Sequence, residues 1–278
     1  MNASYCIARE LTAPSRELAI ALGRSYLPAM RLVILLLFVL SSPAIMAATD
    51  PLRTSRQCLV VVSDNWSAKT GNLRAFERAN SRSGWQMHGR PIPVVLGKKG
   101  MAWGRGLVDF KVASRKVEGD NKAPAGIFRL GPAFGYAPRS GARWIKLPYV
   151  ALTKNSEGID DPRSRYYNKL VDRSKITKVD WRTSEQMLRS DILYKWGIVV
   201  AHNSAATASA GSCIFLHIWK NSSSATAGCT AMPEQDLVDL LRWLDPAKRP
   251  VLIQMPRAEF ADLRLPHAVP SIPEKRSR

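Results

Sequence analysis

Histidine and cysteine are scarce in this chain of 278 residues, with four of each. Neither occurs at a metal-ligand spacing: there is no His-Glu-x-x-His and no Cys-x-x-Cys. A Walker loop and a dinucleotide glycine fingerprint are also missing, so nothing implies a metal or other cofactor. No apolar run approaches the roughly 20 residues that a membrane-spanning helix needs. There is no internal repeat and no low-complexity tract. Acidic residues are few, 22 against 41 basic ones, for a net charge of +19. With 46% hydrophobic and 23% charged residues, the composition is not that of a disordered chain. The length allows one sizeable core, with room for a small accessory lobe.

The N-terminal region says where that charge is displayed. Met30-Arg31 precedes an apolar run, Leu32 to Leu40, and then Ser41-Ser42-Pro43-Ala44-Ile45-Met46-Ala47-Ala48. A basic start, an apolar stretch and a small-residue cleavage zone make a secretory signal over 30–47, and the expected location is the periplasm. An uncleaved membrane anchor is the alternative, but the run is short for a span. Residues 1–29 read as an over-extended reading frame that truly starts at Met30, and 48–56 as a linker. Removing 1–47 takes away four arginines and two glutamates and leaves +17. In the cytoplasm such a charge would suggest nucleic acid. In an exported protein the polyanions at hand are the wall and the membrane surface. The basic residues are scattered, with no aromatic-basic motif, so neither nucleic acid nor stable membrane insertion is expected.

The remaining chain reads as many short strands. Residues 58–62, 92–96, 126–130, 143–147, 196–201, 213–218 and 251–255 have the length and β-branching of buried strands. Two helices are expected. One covers 183–195, capped by Thr183 or Ser184. The other covers 233–244, with Leu237, Leu240, Leu241 and Leu244 at helical spacing and Pro233 in the first turn. This count predicts a mainly β fold, a sandwich or partly closed barrel with a few short helices, over 57–260. Residues 154–180 form a long charged and aromatic loop, of the kind that often carries function. Residues 261–278 read as a basic, flexible tail.

Three cysteines follow the signal: Cys58, Cys213 and Cys229. An odd number leaves at least one thiol free, a liability in an oxidising compartment unless it works. A Cys58–Cys213 bridge and two buried thiols are both open. The informative stretch runs from Gly211 to Met232. A strand delivers His217, a Ser-rich loop follows, and the small-residue turn Thr226-Ala227-Gly228 presents Cys229 just before a helix. Thiolate is the nucleophilic form of cysteine, and a nearby imidazole or helix start favours it. His217 is the candidate base. Thr226, Gly228 and Thr230 are candidates for the turn that would hold an oxyanion. Cys213 is the rival nucleophile, but strand periodicity places it in the strand with Phe215 and His217. In the long loop, Arg165 and Tyr167 are candidate substrate contacts, since Arg pairs bidentately with carboxylates. His202, at the end of the preceding strand, is another candidate. Taken singly, a buried Cys or a strand-end His is more often structural.

The segment Thr226-Ala-Gly-Cys-Thr-Ala-Met232, with His217 upstream, resembles the signature of the L,D-transpeptidase catalytic domain, the YkuD-like family. Asn121-Lys-Ala-Pro-Ala-Gly-Ile-Phe128 resembles that family's Thr-Pro-x-Gly-x-Phe segment. The resemblance spans roughly 57–256. It implies a β-rich transpeptidase fold with a helix directly after the cysteine, no cofactor, and stem peptides of peptidoglycan as the partner. Cys229 would carry a thioester between a stem tetrapeptide and an amine of another stem. Two departures stand out. Ala227 occupies a place where the family often has His, and Thr230-Ala231-Met232 replaces the usual Arg or Asn after the cysteine. The Gly-Cys-x-Ala-Met ending looks more like the branch that includes peptidoglycan-trimming hydrolases. An L,D-carboxypeptidase or amidase-type hydrolase therefore stays open beside the transpeptidase. A non-catalytic wall-binding module is a third reading.

Overall fold

The computed structural model describes residues 50–265 and 267–272; the expected signal and N-terminal extension lie outside them. The fold is mainly β. Eight strands close on themselves: β1 (Gln57–Ser63), β2 (Thr70–Glu77), β3 (Gln86–Val95), β5 (Ala123–Gly135), β10 (Trp196–Val200), β11 (Phe215–Ile218), β12 (Thr230–Met232) and β13 (Val251–Pro256). Their spatial order is β10-β11-β12-β3-β2-β1-β13-β5, and β5 returns to β10. The closure rests on the length of β5. Its first half pairs with β13 over Gly126–Arg129, and its second half pairs with β10 over Leu130–Gly135. Closing the ring removes exposed sheet edges, which would otherwise invite pairing with other chains. Two short strands, β4 (Met101–Trp103) and β6 (Tyr149–Ala151), add to β5.

Every residue of β1 is buried, so its run Cys58-Leu59-Val60-Val61-Val62 is apolar without alternation. The expected second helix is present as α1 (Glu234–Trp243), N-capped by Pro233. Leu237, Leu240, Leu241 and Leu244 are all at most 4% exposed. Burying each contributes roughly 1.5–3 kcal/mol before entropic costs. The helix packs on β10 and β11, and so braces the strands that carry the site.

Four sequence expectations differ from the structure. Residues 183–195 form no helix. They contain β9 (Ser184–Gln186) and a turn in which the Asp191 carboxylate accepts from the Leu193 amide and the Arg189 guanidinium. Such local side-chain bonds compete with a helix, and exposed Leu188 and Ile192 leave no apolar stripe to bury. The long loop 154–180 is not structureless: β7 (Ser156–Ile159) pairs with β8 (Leu170–Asp172) and with β9 in a separate three-stranded sheet. Residues 143–147 bury Ile145 and Leu147 but find no ladder partner, and a turn bond from Ile145 to Ala142 precedes Pro148. The segment expected as a frayed tail lies against the barrel up to Ile272. A short helix α2 (Arg257–Ala261) leads into it, Trp85 donates to the Ala268 carbonyl, and His267 pairs with Asp50 at 2.8 Å.

Candidate active site

β11 and β12 are parallel neighbours, with Leu216 opposite Thr230 and His217 opposite Ala231. Side chains alternate along a strand. Cys229, two residues before Ala231, therefore lies on the His217 face of the neighbouring strand. Between Cys229 and α1 stand only β12 and Pro233. Both residues line one cleft of about 610 Å³, with Lys116, Glu185, Arg189 and Tyr194 in its wall.

The turn before Cys229 is held from two sides. Thr226 exchanges backbone bonds with the end of β3, its amide donating to the Leu96 carbonyl and its carbonyl accepting from Lys98. Its hydroxyl accepts from the Gly228 amide at 3.1 Å and donates to the Cys229 carbonyl at 2.6 Å. Thr226 thus sets the turn, and the Gly228 amide is already engaged. Thr230 faces the other way. It is 1% exposed and its hydroxyl donates to Gln254 at 2.7 Å, which anchors β12 in the barrel.

The Cys229 thiol accepts from the Phe215 amide at 3.3 Å and donates to the Cys213 carbonyl at 3.6 Å. Burial pushes the thiol up to about 12, with Glu185 adding in the same direction and the Phe215 amide and Lys116 opposing. The His217 Nδ1 stands 2.7 Å from the Ile218 carbonyl; the tautomer that donates there has Nε2 as its basic nitrogen. Burial lowers this imidazole to about 4, against the carbonyl bonds that favour its charged form. Tyr194 packs edge-on against His217 at 5.2 Å, and its hydroxyl donates to Glu185 at 2.6 Å. The resting pair is therefore a neutral thiol and a neutral imidazole lining one cleft. No hydrogen bond joins them here. The thiol proton points at the Cys213 carbonyl, and catalytic hydrogen bonds commonly tighten only with substrate.

Cys213 precedes β11 rather than lying in it. It adopts φ +51° and its thiol contacts the Ile159 carbonyl at 3.6 Å. Asn168, itself at φ +61°, accepts from the Cys213 amide and donates to the carbonyls of His202 and Asn203. The long loop is thereby fastened to the site. Cys58, Cys213 and Cys229 are all free.

The other sequence candidates lie behind or away from the cleft. His202 is 1% exposed; Nδ1 accepts from the Arg105 amide at 3.2 Å and Nε2 donates to the Ala210 carbonyl at 3.0 Å. Both nitrogens are engaged and burial lowers the group to about 4, so His202 is a neutral brace for the loop 201–211. Tyr167 is 1% exposed, and its hydroxyl donates to Glu118, which does reach the cleft. Arg165 is out on the surface, 3.5 Å from Asp180 and stacked over Tyr166. Sequence reasoning missed Lys116, Glu118, Asp160, Glu185, Arg189 and Tyr194, all in the cleft wall. They come from three separate chain segments, and no periodicity or motif spacing links them.

Gly211 shows how tightly the cleft is built. At φ +92°, a Cβ here would meet Lys116 Cε at 2.8 Å and His202 Nε2 at 3.0 Å. Gly211→Ala should cost about 2–3 kcal/mol, backbone strain plus displacement of a buried lysine. Urea unfolding monitored by tryptophan fluorescence checks this. A midpoint unchanged from wild type would mean that the loop simply relaxes.

A family model for the L,D-transpeptidase catalytic domain, YkuD, matches residues 80–253. The chain belongs to the L,D-transpeptidase catalytic-domain family. A search of curated proteins and one of solved structures found no match. β1 and β2 precede the stretch matched to the L,D-transpeptidase domain, yet both belong to its closed barrel. L,D-transpeptidases act on peptidoglycan, and the domain is an enzyme domain of that type. Of the departures noted in the sequence, Ala227 and Ala231 line the cleft, whereas Thr230 turns into the barrel. Among the described residues, no helix is long and apolar enough to cross a membrane.

Proposed function

We propose that the protein is an exported peptidoglycan L,D-transpeptidase that works through a thioester on Cys229. The observation that carries this reading is the placement of His217 and Cys229 on one face of adjacent strands, opening into one cleft, within a chain of this family. His217 Nε2 takes the thiol proton as sulfur attacks the carbonyl of the diaminopimelyl residue in a stem tetrapeptide. The oxyanion forms against the turn that Thr226 and Gly228 shape and Thr230 anchors. Collapse of the tetrahedral species breaks the C–N bond. The terminal D-alanine leaves with the proton from His217. An amine of a second stem then attacks the thioester, gives its proton to His217, and releases the thiol.

The wall as substrate, together with the signal pattern at 30–47, makes the periplasm the site of action. Water attacking the same thioester would give an L,D-carboxypeptidase. The acceptor is chosen by cleft shape and water exclusion. The deciding experiment incubates the purified protein with disaccharide-tetrapeptide stems and reads the products by mass spectrometry. Joined stems with loss of D-alanine are expected. Shortened stems alone would make the protein a hydrolase, and unchanged stems would remove the enzymatic reading.

A further inference from the structure

The chain carries 19 excess positive charges, yet carboxylates gather in one part of its cleft wall. Three cations line the wall, and two of them are paired with carboxylates: Lys116 with Asp120 at 2.7 Å, and Arg189 with Asp191 at 2.7 Å; Lys220, at the start of the Ser-rich loop, is the third. Three further carboxylates line the same cleft: Glu118, Asp160 and Glu185. Glu118 accepts from the Tyr167 phenol and Glu185 from the Tyr194 phenol, both neutral donors. The nearest Arg189 nitrogen stands 4.0 Å from Glu185. Asp160 has no ion pair, and its Oδ1 is shut off from solvent without a hydrogen-bond partner.

A second observation points the same way. The Ser212 hydroxyl also lines the cleft, is 7% exposed, and has no hydrogen-bond partner. It stands near the Tyr167 phenol without reaching hydrogen-bond geometry. Buried polar atoms left unpaired cost about 1–3 kcal/mol each, more for a charge, so two in one wall mark a place built for a partner. The backbone gathers them. Glu185 lies opposite Gly158 in the small sheet, Asp160 follows β7, and Ile159 between them touches the Cys213 thiol. Ser212 adjoins Cys213, whose carbonyl receives the Cys229 thiol. A group that satisfies them would donate hydrogen bonds, carry positive charge and lie in the cleft that Cys229 also lines. Among the described residues no set of His, Cys, Asp and Glu side chains, these included, is placed to hold a metal ion.

We infer that Asp160, with Ser212 and Glu185 beside it, forms a subsite for a primary ammonium on the peptide that acylates Cys229, an inference that rests on the transpeptidase reading. The group it fits is the side-chain ammonium of the donor's diamino acid. An acceptor amine must be neutral to attack, whereas carboxylates favour the charged form. The subsite therefore selects donors whose side-chain amine is free and rejects those in which it is already acylated.

The test has two arms, run on wild type, Asp160→Asn and Glu185→Gln, with thermal melts as a fold control. In the first, n-hexylammonium or n-hexanol is added and the rate of Cys229 alkylation by iodoacetamide is read by peptide mass. The ammonium should protect wild type and the alcohol should not, and Asp160→Asn should weaken that protection by about 10–10²-fold in half-effective concentration. Glu185→Gln should weaken it less. Equal protection by both compounds, or protection unchanged in both variants, overturns the subsite. In the second arm, thioester formation is compared for a tetrapeptide and its side-chain N-acetyl form. Wild type should prefer the free amine, and Asp160→Asn should lose that preference, its rate with the free-amine peptide falling to that with the acetylated one. If the ammonium protects but neither peptide acylates Cys229, the subsite stands and the peptidoglycan reading falls. If both peptides acylate equally in every variant, the reading stands and the subsite falls.

Discussion

A carbapenem incubated with the wild-type protein should leave a stable adduct on Cys229, and Cys229→Ser should abolish it, a loss on the order of 10³-fold or more. A strained β-lactam amide serves as a small acyl donor that the site cannot easily turn over. Serine keeps the shape, but its hydroxyl is far harder to ionise than a thiol, and the pocket already disfavours charge at this position. Cys213→Ser should leave the rate within about threefold, because Cys213 acts on Cys229 through its main-chain carbonyl, which the substitution keeps. Cys58 should not react at all: it is buried in β1, and burial pushes its thiol well above the usual range. Intact-protein mass followed by peptide mapping distinguishes the three. An adduct that survives Cys229→Ser and vanishes in Cys213→Ser would move the nucleophile to Cys213.

The same comparison shows what a sequence can and cannot carry. The proposed nucleophile and base could be picked out because they lie close in the chain, His217 on β11 and Cys229 just before β12, joined by one loop. The buried strands were legible as short β-branched apolar runs, and α1 because its leucines recur at a period of 3.6. Where local side-chain bonding competed with periodicity, pattern reading failed. Asp191 ties up the chain at 189–193, and no helix forms over 183–195. The wall of the cleft was illegible for another reason. Lys116, Asp160 and Glu185 meet only because β5 closes the barrel and Asn168 pins the loop to Cys213. No local rule relates residues brought together by closure. His202 misled for the opposite reason: a histidine at a strand end beside the site looks functional, yet both its nitrogens hold loop backbone.

His217→Ala should slow acylation by roughly 10²–10⁴-fold, the usual worth of a positioned base, and should change how the rate depends on pH. In wild type the imidazole is lowered to about 4 by burial, and the thiol is raised to about 12, also by burial. Between these limits the pair is neutral, and the proton passes from sulfur to Nε2 only as the carbonyl is attacked. The rate should therefore be nearly flat from about pH 6 to 9 and fall on the acid side as the imidazole takes up a proton, with apparent values that belong to the pair. Without the imidazole, hydroxide must make the thiolate, and the His217→Ala rate should climb about tenfold per pH unit over that range. Stability follows the same groups. The folded imidazole sits below its unfolded value of 6.5, so stability present above 6.5 is lost as pH falls from there through about 4. The folded thiol sits above its unfolded value of 9.0, so stability present below 9.0 is lost as pH rises from there through about 12. His217→Ala should remove the acid-side loss that this group causes and keep the alkaline one. His202→Ala should instead cost stability at neutral pH, through the two backbone groups it leaves unpaired, with acylation per folded molecule nearly unchanged. Acylation rates against pH, with circular dichroism as the fold control, read all of this. Should His217→Ala acylate at the wild-type rate with a flat profile, the imidazole takes no part in proton transfer and the thiol must be activated by the turn and the Phe215 amide alone.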